Sequence, residues 1–293
     1  MQQFQPVGFC QQAIATSLGV MAYYTQVSNL VGLENSPALF LHSLGGGSSA
    51  YEWSQLYQQL GDRVRVIAPD LIGWGQSAHP VRDYQVDDYL LIIEELIRAL
   101  KLQPVTVFAS SLMAGIVVQL AVRQPELFRQ LVLVCPSGYG DFGADYRYGV
   151  SSLVARIPGV DMVLYTLGAA NALAVRSFMQ RFLFAKGDRI TDDIVAAYVA
   201  SAQQLNAQYS ALASLRGDLC FDLALYLPQL KVPTVMVWGD RAWFSKVETG
   251  KRLALLNPNA IQEFCVIPEA GVLPHLEVPD QVIAEITPFL KLN

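Results

Sequence analysis

The stretch Phe108-Ala-Ser-Ser-Leu-Met-Ala-Gly115 decides the fold. An apolar run at residues 105–109 precedes it, and a helix-length amphipathic stretch at residues 112–123 follows it. Small residues flank Ser111 on both sides, so the chain can turn sharply there from a strand into a helix. Such a turn pushes the serine hydroxyl outward over the helix N-terminus, where backbone N–H groups can stabilise an oxyanion. The alternative is that Ser111 caps the helix, because the stretch departs from G-x-S-x-G at both ends.

Strand and helix patterns alternate along most of the chain on either side of this turn. Short runs rich in Val, Ile and Phe predict strands, and the amphipathic stretches between them predict helices. The predicted strands are residues 39–42, 64–69, 105–109, 130–135, 234–238 and 261–267, and the predicted helices are residues 50–60, 86–100, 112–123, 246–256 and 280–290. Residues 11–27 predict a leading antiparallel hairpin. This order predicts an α/β fold with a mostly parallel sheet of about eight strands and helices on both faces.

The alternation stops between residues 138 and 230, where the pattern is helical and no strand is predicted. Residues 161–167 and 191–204 are the clearest helices of this segment. We therefore expect a core made of residues 1–137 and 231–293. Residues 138–230 are expected to be inserted in that core as a helical lid over the carboxyl edge of the sheet.

Composition restricts the partners of the protein. Hydrophobic residues make up 53% of the chain and charged residues 15%, against roughly 25% charged in an average soluble domain. The deficit predicts a large core, an apolar surface patch, or both. A net charge of −5 without a basic cluster argues against nucleic acid as a partner. Four scattered cysteines predict reduced thiols in a cytoplasmic protein, and neither a metal nor a cofactor is expected.

Two further motifs follow predicted strands. His42-Ser-Leu-Gly-Gly-Gly47 is a glycine-rich loop that can turn a backbone N–H towards the serine. A phosphate loop is the rival interpretation, but no Lys-Ser or Lys-Thr follows. The second motif is Ala68-Pro-Asp-Leu-Ile-Gly-Trp-Gly-Gln-Ser77, in which Asp70 is expected to fix a turn.

In this order and on these strands, the three motifs resemble the α/β-hydrolase superfamily. They are similar to its lidded branch of esterases, C–C hydrolases and haloperoxidase-like enzymes, and, more loosely, to hydrolase-like proteins of cyanobacteria and plastids. The resemblance runs from Leu39 to Leu290. It implies that Ser111 holds the nucleophile position. It also implies that the backbone N–H groups of Leu44 and Leu112 hold the oxyanion-hole positions.

The sequence departs from the family pattern at the two other members of a Ser-His-Asp triad. The resemblance places Ala242 where the family has its acid and Val272 where the family has its histidine, and Ser43 replaces the glycine of the family's H-G step. A serine hydroxyl without a general base is a poor nucleophile at neutral pH. Loss of the histidine alone costs about 10⁶-fold in kcat in the subtilisin example. His275, three residues beyond Val272, could act as a relocated base if the loop folds back, with Asp141 or Asp240 as the carboxylate that orients it.

Aromatic residues crowd the loops that are expected to face the pocket. Tyr51, Trp74, Phe142 and Trp243 lie at strand ends, where α/β folds bind ligands. A valine in place of the histidine makes the expected pocket more apolar. We therefore expect these four residues to line a ligand pocket beside Ser111.

Three functional hypotheses remain open from the sequence. The first is a protein that binds a small apolar carbonyl or carboxylate ligand with little or no hydrolysis. The second is an atypical serine hydrolase, acting on ester or related acyl bonds through Ser111 and a relocated base such as His275. The third is a non-catalytic assembly or scaffold protein at a membrane surface, with a peripheral membrane or protein partner. The first is favoured, because Ala242 and Val272 remove the groups that would activate the serine.

Overall fold

An eight-stranded sheet forms the centre of the protein. The computed structural model describes residues 4–27, 37–144, 165 and 170–291. The strands are β1 Phe9–Thr16, β2 Gly19–Gln26, β3 Pro37–Leu41, β4 Arg65–Pro69, β5 Val105–Ser110, β6 Phe128–Val134, β7 Thr234–Gly239 and β8 Ile261–Ile267. Their spatial order is β1-β2-β4-β3-β5-β6-β7-β8. The pairs β1–β2 and β2–β4 are antiparallel and all others are parallel, which confirms the predicted sheet.

Burial differs between the middle and the edge of the sheet. Every residue of β3, β5 and β7 is buried, because a parallel strand in mid-sheet is covered by helices on both faces. The edge strand β1 is mostly exposed or half-buried. The continuous Val- and Ile-rich runs of the sequence therefore correspond to the central strands.

Helices connect the parallel strands and cover the sheet. They are α1 Ser54–Leu60, α2 Val86–Ala99, α3 Ser111–Arg123, α4 Ala172–Phe178, α5 Asp192–Ala202, α6 Ala207–Arg216, α7 Val247–Ala254, α8 Pro274–Glu277 and α9 Pro279–Ile286. A 3-10 turn at Ala50–Trp53 precedes α1 and another at Thr287–Phe289 follows α9, so each of these two predicted helices is helical over most of its length. No helix in the described ranges is both long and apolar enough to cross a bilayer.

Helices are the main regular structure of the described part of the segment between β6 and β7. The described part of residues 138–230 contains α4, α5, α6, short turns and one isolated bridge between Tyr139 and Phe221. The predicted helix at residues 191–204 corresponds to α5, where the Thr191 hydroxyl caps the helix by accepting from the Ile194 N–H at 3.2 Å. The predicted helix at residues 161–167 lies outside the described residues, apart from Tyr165.

Candidate functional site

Ser111 stands on a strained turn between β5 and α3. Its φ is 54°, a value that is uncommon outside glycine and is found at tight functional turns. Gly115, one turn later, permits the close approach of the next loop, since a Cβ there would lie 2.8 Å from the Ser137 carbonyl oxygen. The geometry is that of a serine held outward at the carboxyl end of a central strand.

The hydroxyl of Ser111 has a phenol as its neighbour. The Tyr139 hydroxyl lies 3.0 Å from Ser111 Oγ, and either oxygen can be the donor. Tyr139 itself has a φ of 58°, and its N–H donates to Ser137 Oγ at 3.0 Å. The loop after β6 therefore delivers a hydroxyl to the serine. Among the described residues, none of the three histidines contacts this serine hydroxyl.

The glycine-rich loop after β3 lies beside Ser111. Both Leu44 and Leu112, which were expected to present their N–H groups, are buried at the wall of the same cavity. The His42 ring is hydrogen-bonded within this loop and to Leu71, and not to Ser111. Its Nδ1 contacts the Ser43 carbonyl at 2.6 Å, and its Nε2 accepts from the Leu71 N–H at 3.0 Å.

Asp70 fixes the turn after β4. One carboxylate oxygen accepts from the Ala50 N–H at 2.7 Å, and the other accepts from the Gln76 N–H at 2.8 Å and the Tyr24 hydroxyl at 3.2 Å. Burial raises the pKa of this carboxyl, and these hydrogen bonds oppose the rise. The expected structural role of Asp70 is thus visible in its contacts.

A cavity of about 910 Å³ opens beside Ser111. The core contributes Leu44, Ser111 and Leu112 to its wall, together with Val272 and Trp243. The segment between β6 and β7 contributes Phe178, Phe182, Leu183, Tyr198, Ala211, Ser214 and Leu215. Asp141 is the only charged residue of the described lining. The wall is therefore mainly apolar, with hydroxyl groups at its base.

The two positions that the resemblance assigns to the acid and the histidine lie differently with respect to this cavity. Val272 lines it and is 3% exposed, and its N–H donates to the Leu183 carbonyl at 2.8 Å. Ala242 is buried in the turn after β7, where its N–H donates to the Gly239 carbonyl at 3.1 Å. Ala242 is not part of the described lining.

His275 lies in the core rather than at the cavity wall. Its ring is fully buried in α8 and stacks on Trp53 with a centroid distance of 3.8 Å. Neither ring nitrogen has a hydrogen-bond partner among the described residues, and burial lowers the pKa of the imidazole to about 3. The interpretation of His275 as a relocated base therefore needs correction, because α8 turns the ring towards Trp53 and no contact joins it to Ser111.

The two carboxylates that could orient a histidine are engaged elsewhere. Asp141 accepts from the Ser137 hydroxyl at 2.7 Å and from the N–H groups of Gly138 and Leu223 at 3.0 Å. Burial raises the pKa of the Asp141 carboxyl. Asp240 lies 3.9 Å from the Arg241 guanidinium. Within the described ranges, His, Cys, Asp and Glu side chains form no group of three that could hold a metal ion.

Of the four aromatic residues expected in the pocket, one lines the cavity. Trp243 is that residue, and 61% of it is exposed. Trp74 is instead buried, with its Nε1 donating to the Tyr89 hydroxyl at 2.9 Å. The Phe142 ring lies under the Arg252 guanidinium at 4.0 Å. Tyr51 faces a second cavity of about 1100 Å³, which Asp70 also lines.

Several cavity residues were not singled out from the sequence. Tyr139 lies in a run of glycines that signals only a loop. Phe178, Phe182 and Phe244 form an aromatic cluster with Trp243, with centroid distances of 4.9 to 6.3 Å. Phe178 and Phe182 come from the segment between β6 and β7, and periodicity does not show which side chains of that segment meet Trp243 and Phe244.

The chain matches the alpha/beta hydrolase family over residues 38–285. It therefore belongs to that family. It is 37% identical over 216 residues to an uncharacterized protein of Mycobacterium tuberculosis, a match that covers 71% of this chain and 62% of the relative. The chain thus spans less than two thirds of that relative's length. It is 24% identical over 290 residues to Lipase 1 of Psychrobacter immobilis, covering 96% of this chain and 84% of the lipase.

Solved structures share the fold at low identity. The carboxylesterase CesB from Bacillus subtilis superposes with a TM-score of 0.77 at 19% identity, covering 99% of this chain and 94% of that one. A serine hydrolase involved in carbazole degradation superposes with a TM-score of 0.76 at 18% identity, covering 97% and 100%. At such identities the likeness extends to the fold alone.

Proposed function

We propose that this protein binds a small apolar carbonyl or carboxylate compound beside Ser111 and turns it over slowly or not at all. The observation that carries the proposal is the contact between Ser111 Oγ and the Tyr139 hydroxyl inside a cavity whose described lining contains no histidine, lysine or arginine. Proton removal from a serine needs an adjacent base, or a charge that stabilises the alkoxide. The one charged residue of that lining, Asp141, accepts hydrogen bonds from Ser137, Gly138 and Leu223, and none joins it to Ser111.

The shape and polarity of the cavity support a ligand of this class. Its volume lies in the range of about 300–1,000 Å³ that is usual for ligand sites. The Leu44 and Leu112 N–H groups donate to no other element among the described residues, so they are available for one carbonyl or carboxylate oxygen. We propose that the inserted helical segment acts as a lid, since it supplies Phe178, Phe182 and Tyr198 to the wall.

Ligand binding can be tested with decanoate as the probe. The melting temperature should rise with decanoate concentration, because a ligand that binds only the native state stabilises it by mass action. Val272→Trp should abolish the shift by filling the cavity, and Val272→Ile is the matched control that keeps an aliphatic wall. No shift with the wild type, or an unchanged shift in a folded Val272→Trp protein, contradicts the proposal.

Hydrolysis of esters is the second candidate function. The strained φ of 54° at Ser111 favours it, because strain of this kind persists at functional sites. Rapid, Ser111-dependent hydrolysis of p-nitrophenyl butyrate would establish this candidate in place of the first. The same assay with Ser111→Ala gives the background rate.

A further inference from the structure

Glu52 is a fully buried carboxylate whose role the proposed function does not use. It lies in the 3-10 turn before α1 and none of its surface is exposed. Among the described residues, no lysine, arginine or histidine forms an ion pair with it. A buried charge without a cation needs hydrogen-bond donors, and hydroxyl groups of the cavity wall supply them.

Four donors converge on the two oxygens of Glu52. The Ser43 N–H donates to Oε2 at 2.8 Å, and the Ser43 hydroxyl donates to Oε1 at 2.8 Å. The Tyr198 hydroxyl, from α5 of the inserted segment, also donates to Oε1 at 2.8 Å. The Ser110 hydroxyl lies at 3.5 Å from Oε2. Glu52 thus accepts hydrogen bonds both from the loop after β3 and from α5.

The direction of each proton in this group follows from the number of protons available. A hydroxyl has one proton and two lone pairs. Because Ser43 gives its proton to Glu52, Ser48 must be the donor in the 2.8 Å contact between Ser48 Oγ and Ser43 Oγ. Ser48 Oγ in turn accepts from the Gly45 N–H at 3.2 Å. The remaining hydrogen-bonding position of the Ser43 hydroxyl is therefore a lone pair.

These hydroxyl groups belong to the wall of the cavity beside Ser111. Ser43, Ser48 and Tyr198 all line it, but Ser43 and Ser111 are each 7% exposed whereas Ser48 is fully buried, so Ser43 is the hydroxyl of this group that a ligand can reach. Ser43 directly precedes Leu44, so their Cα atoms are about 3.8 Å apart. One part of this wall therefore offers donors to a carbonyl oxygen, and the adjacent part offers acceptors.

We propose that the Ser43 hydroxyl, held in place by Glu52 and Ser48, forms a second polar subsite, which accepts a hydrogen bond from a hydroxyl group of the ligand. This inference rests on the proposed function and narrows its ligand class to hydroxylated apolar carbonyl or carboxylate compounds. The closeness of Ser43 to Leu44 places the ligand hydroxyl within two or three carbons of the carbonyl carbon. A hydroxyl suits an apolar cavity better than an ammonium group, because burying a charge costs more.

The test compares decanoate with 2-, 3- and 10-hydroxydecanoate by calorimetry on the full chain. The 2- or 3-hydroxy acid should bind about fivefold more tightly than decanoate, since one hydrogen bond contributes about 1 kcal/mol. The 10-hydroxy acid, whose hydroxyl is distant from the carboxylate, should show no such gain. Equal affinity of all four acids overturns the subsite and leaves the proposed function intact, whereas absence of binding by any of them contradicts the proposed function itself.

Substitutions test which residues make the 2- and 3-hydroxy acids bind more tightly than decanoate. Ser43→Ala should make the 2- and 3-hydroxy acids bind no more tightly than decanoate, while decanoate still binds. Ser214→Ala is the matched control, because it removes a hydroxyl of the cavity lining that has no contact with Glu52. Glu52→Gln brings an amide donor into the group and should also reduce the preference. Should that variant fail to fold, Ser43→Ala still decides, because a preference that survives Ser43→Ala overturns the proposal.

Discussion

The hydroxyl oxygens of Ser111 and Tyr139 lie 3.0 Å apart. The two residues come from different loops, since Ser111 follows β5 and Tyr139 follows β6, and both have a positive φ. Gly138 lets the loop that carries Tyr139 pack against residue 221, because a Cβ at position 138 would lie 2.2 Å from the Phe221 carbonyl oxygen. Two turns with a positive φ therefore place the Ser111 hydroxyl and the Tyr139 phenol in the wall of one cavity.

The first prediction concerns the chemistry of this pair. Phenols are ordinarily protonated at neutral pH, so Tyr139 should not activate the serine. We expect the wild type, Tyr139→Phe and Ser111→Ala to hydrolyse p-nitrophenyl butyrate at the same background rate. A fluorophosphonate probe should label Ser111 slowly in the first two proteins. A fast wild-type reaction that both substitutions abolish would instead identify Tyr139 as the base.

The second prediction concerns stability against pH. Burial lowers the pKa of His275 from 6.5 to about 3. Below pH 6.5 the unfolded chain binds a proton that the folded protein refuses until about pH 3, so His275 makes stability fall as the pH falls through this window. At 1.36 kcal/mol per pH unit, the loss between pH 7 and pH 5 is about 2 kcal/mol.

Denaturant unfolding of wild type and His275→Phe at both pH values measures this loss. The phenylalanine variant keeps a ring against Trp53 and should lose less stability on acidification. Asp70 and Asp141, whose pKa values burial raises, titrate in both proteins and cancel in the comparison. Identical pH dependence in the two proteins would mean that the His275 imidazole binds its proton equally well in the folded and the unfolded chain.

Much of the fold could be predicted from the sequence. The central strands are continuous apolar runs because helices cover both of their faces, and that pattern is visible without coordinates. The turn at Ser111 was recognisable because small residues flank the serine between a strand and a helix. The antiparallel hairpin β1–β2 was also recognisable, from alternating residues on either side of a glycine. Each of these signals is local in the chain.

The arrangement of the site depended on contacts that are distant in the chain. Trp74 follows a strand, as a pocket residue does, but the hydroxyl of Tyr89 holds its indole in the core. His275 is close in sequence to Val272, but a short helix turns its ring towards Trp53. The Glu52 group combines residues 43, 48, 52 and 198, and no periodic pattern connects them. Side-chain direction at loop positions is set by such partners.

The third prediction concerns the contact between the glycine-rich loop and α5. Gly47 has a φ of +85°, and a Cβ there would lie 2.6 Å from the Tyr198 carbonyl oxygen. Gly47→Ala should therefore lower the free energy of unfolding through both backbone strain and a clash with α5. Gly8→Ala is the matched control, since its φ is +91° and nothing lies within 4 Å of the added Cβ.

Urea unfolding of the two glycine variants separates these effects. The Gly47→Ala loss should exceed that of Gly8→Ala by about 1–3 kcal/mol, the usual cost of overpacking. Equal losses would show that α5 moves away from the loop without cost. In that case the inserted segment is held less firmly than the contacts of Tyr198 imply.

The last prediction concerns a variant in which a histidine at position 272 supplies Ser111 with a general base. Val272 lines the cavity that contains Ser111, so an imidazole at this position can approach the hydroxyl. We expect Val272→His together with Ala242→Asp to hydrolyse p-nitrophenyl butyrate at least about 10²-fold faster than the wild type, the lower range of general-base contributions. Ala242→Asp alone should have no effect, because position 242 does not line the cavity that contains Ser111. Adding Ser111→Ala to the double variant should remove the gain and so tie it to the serine. If the double variant folds, as judged by its melting temperature, yet gains nothing, the absence of a histidine at position 272 is not what limits Ser111.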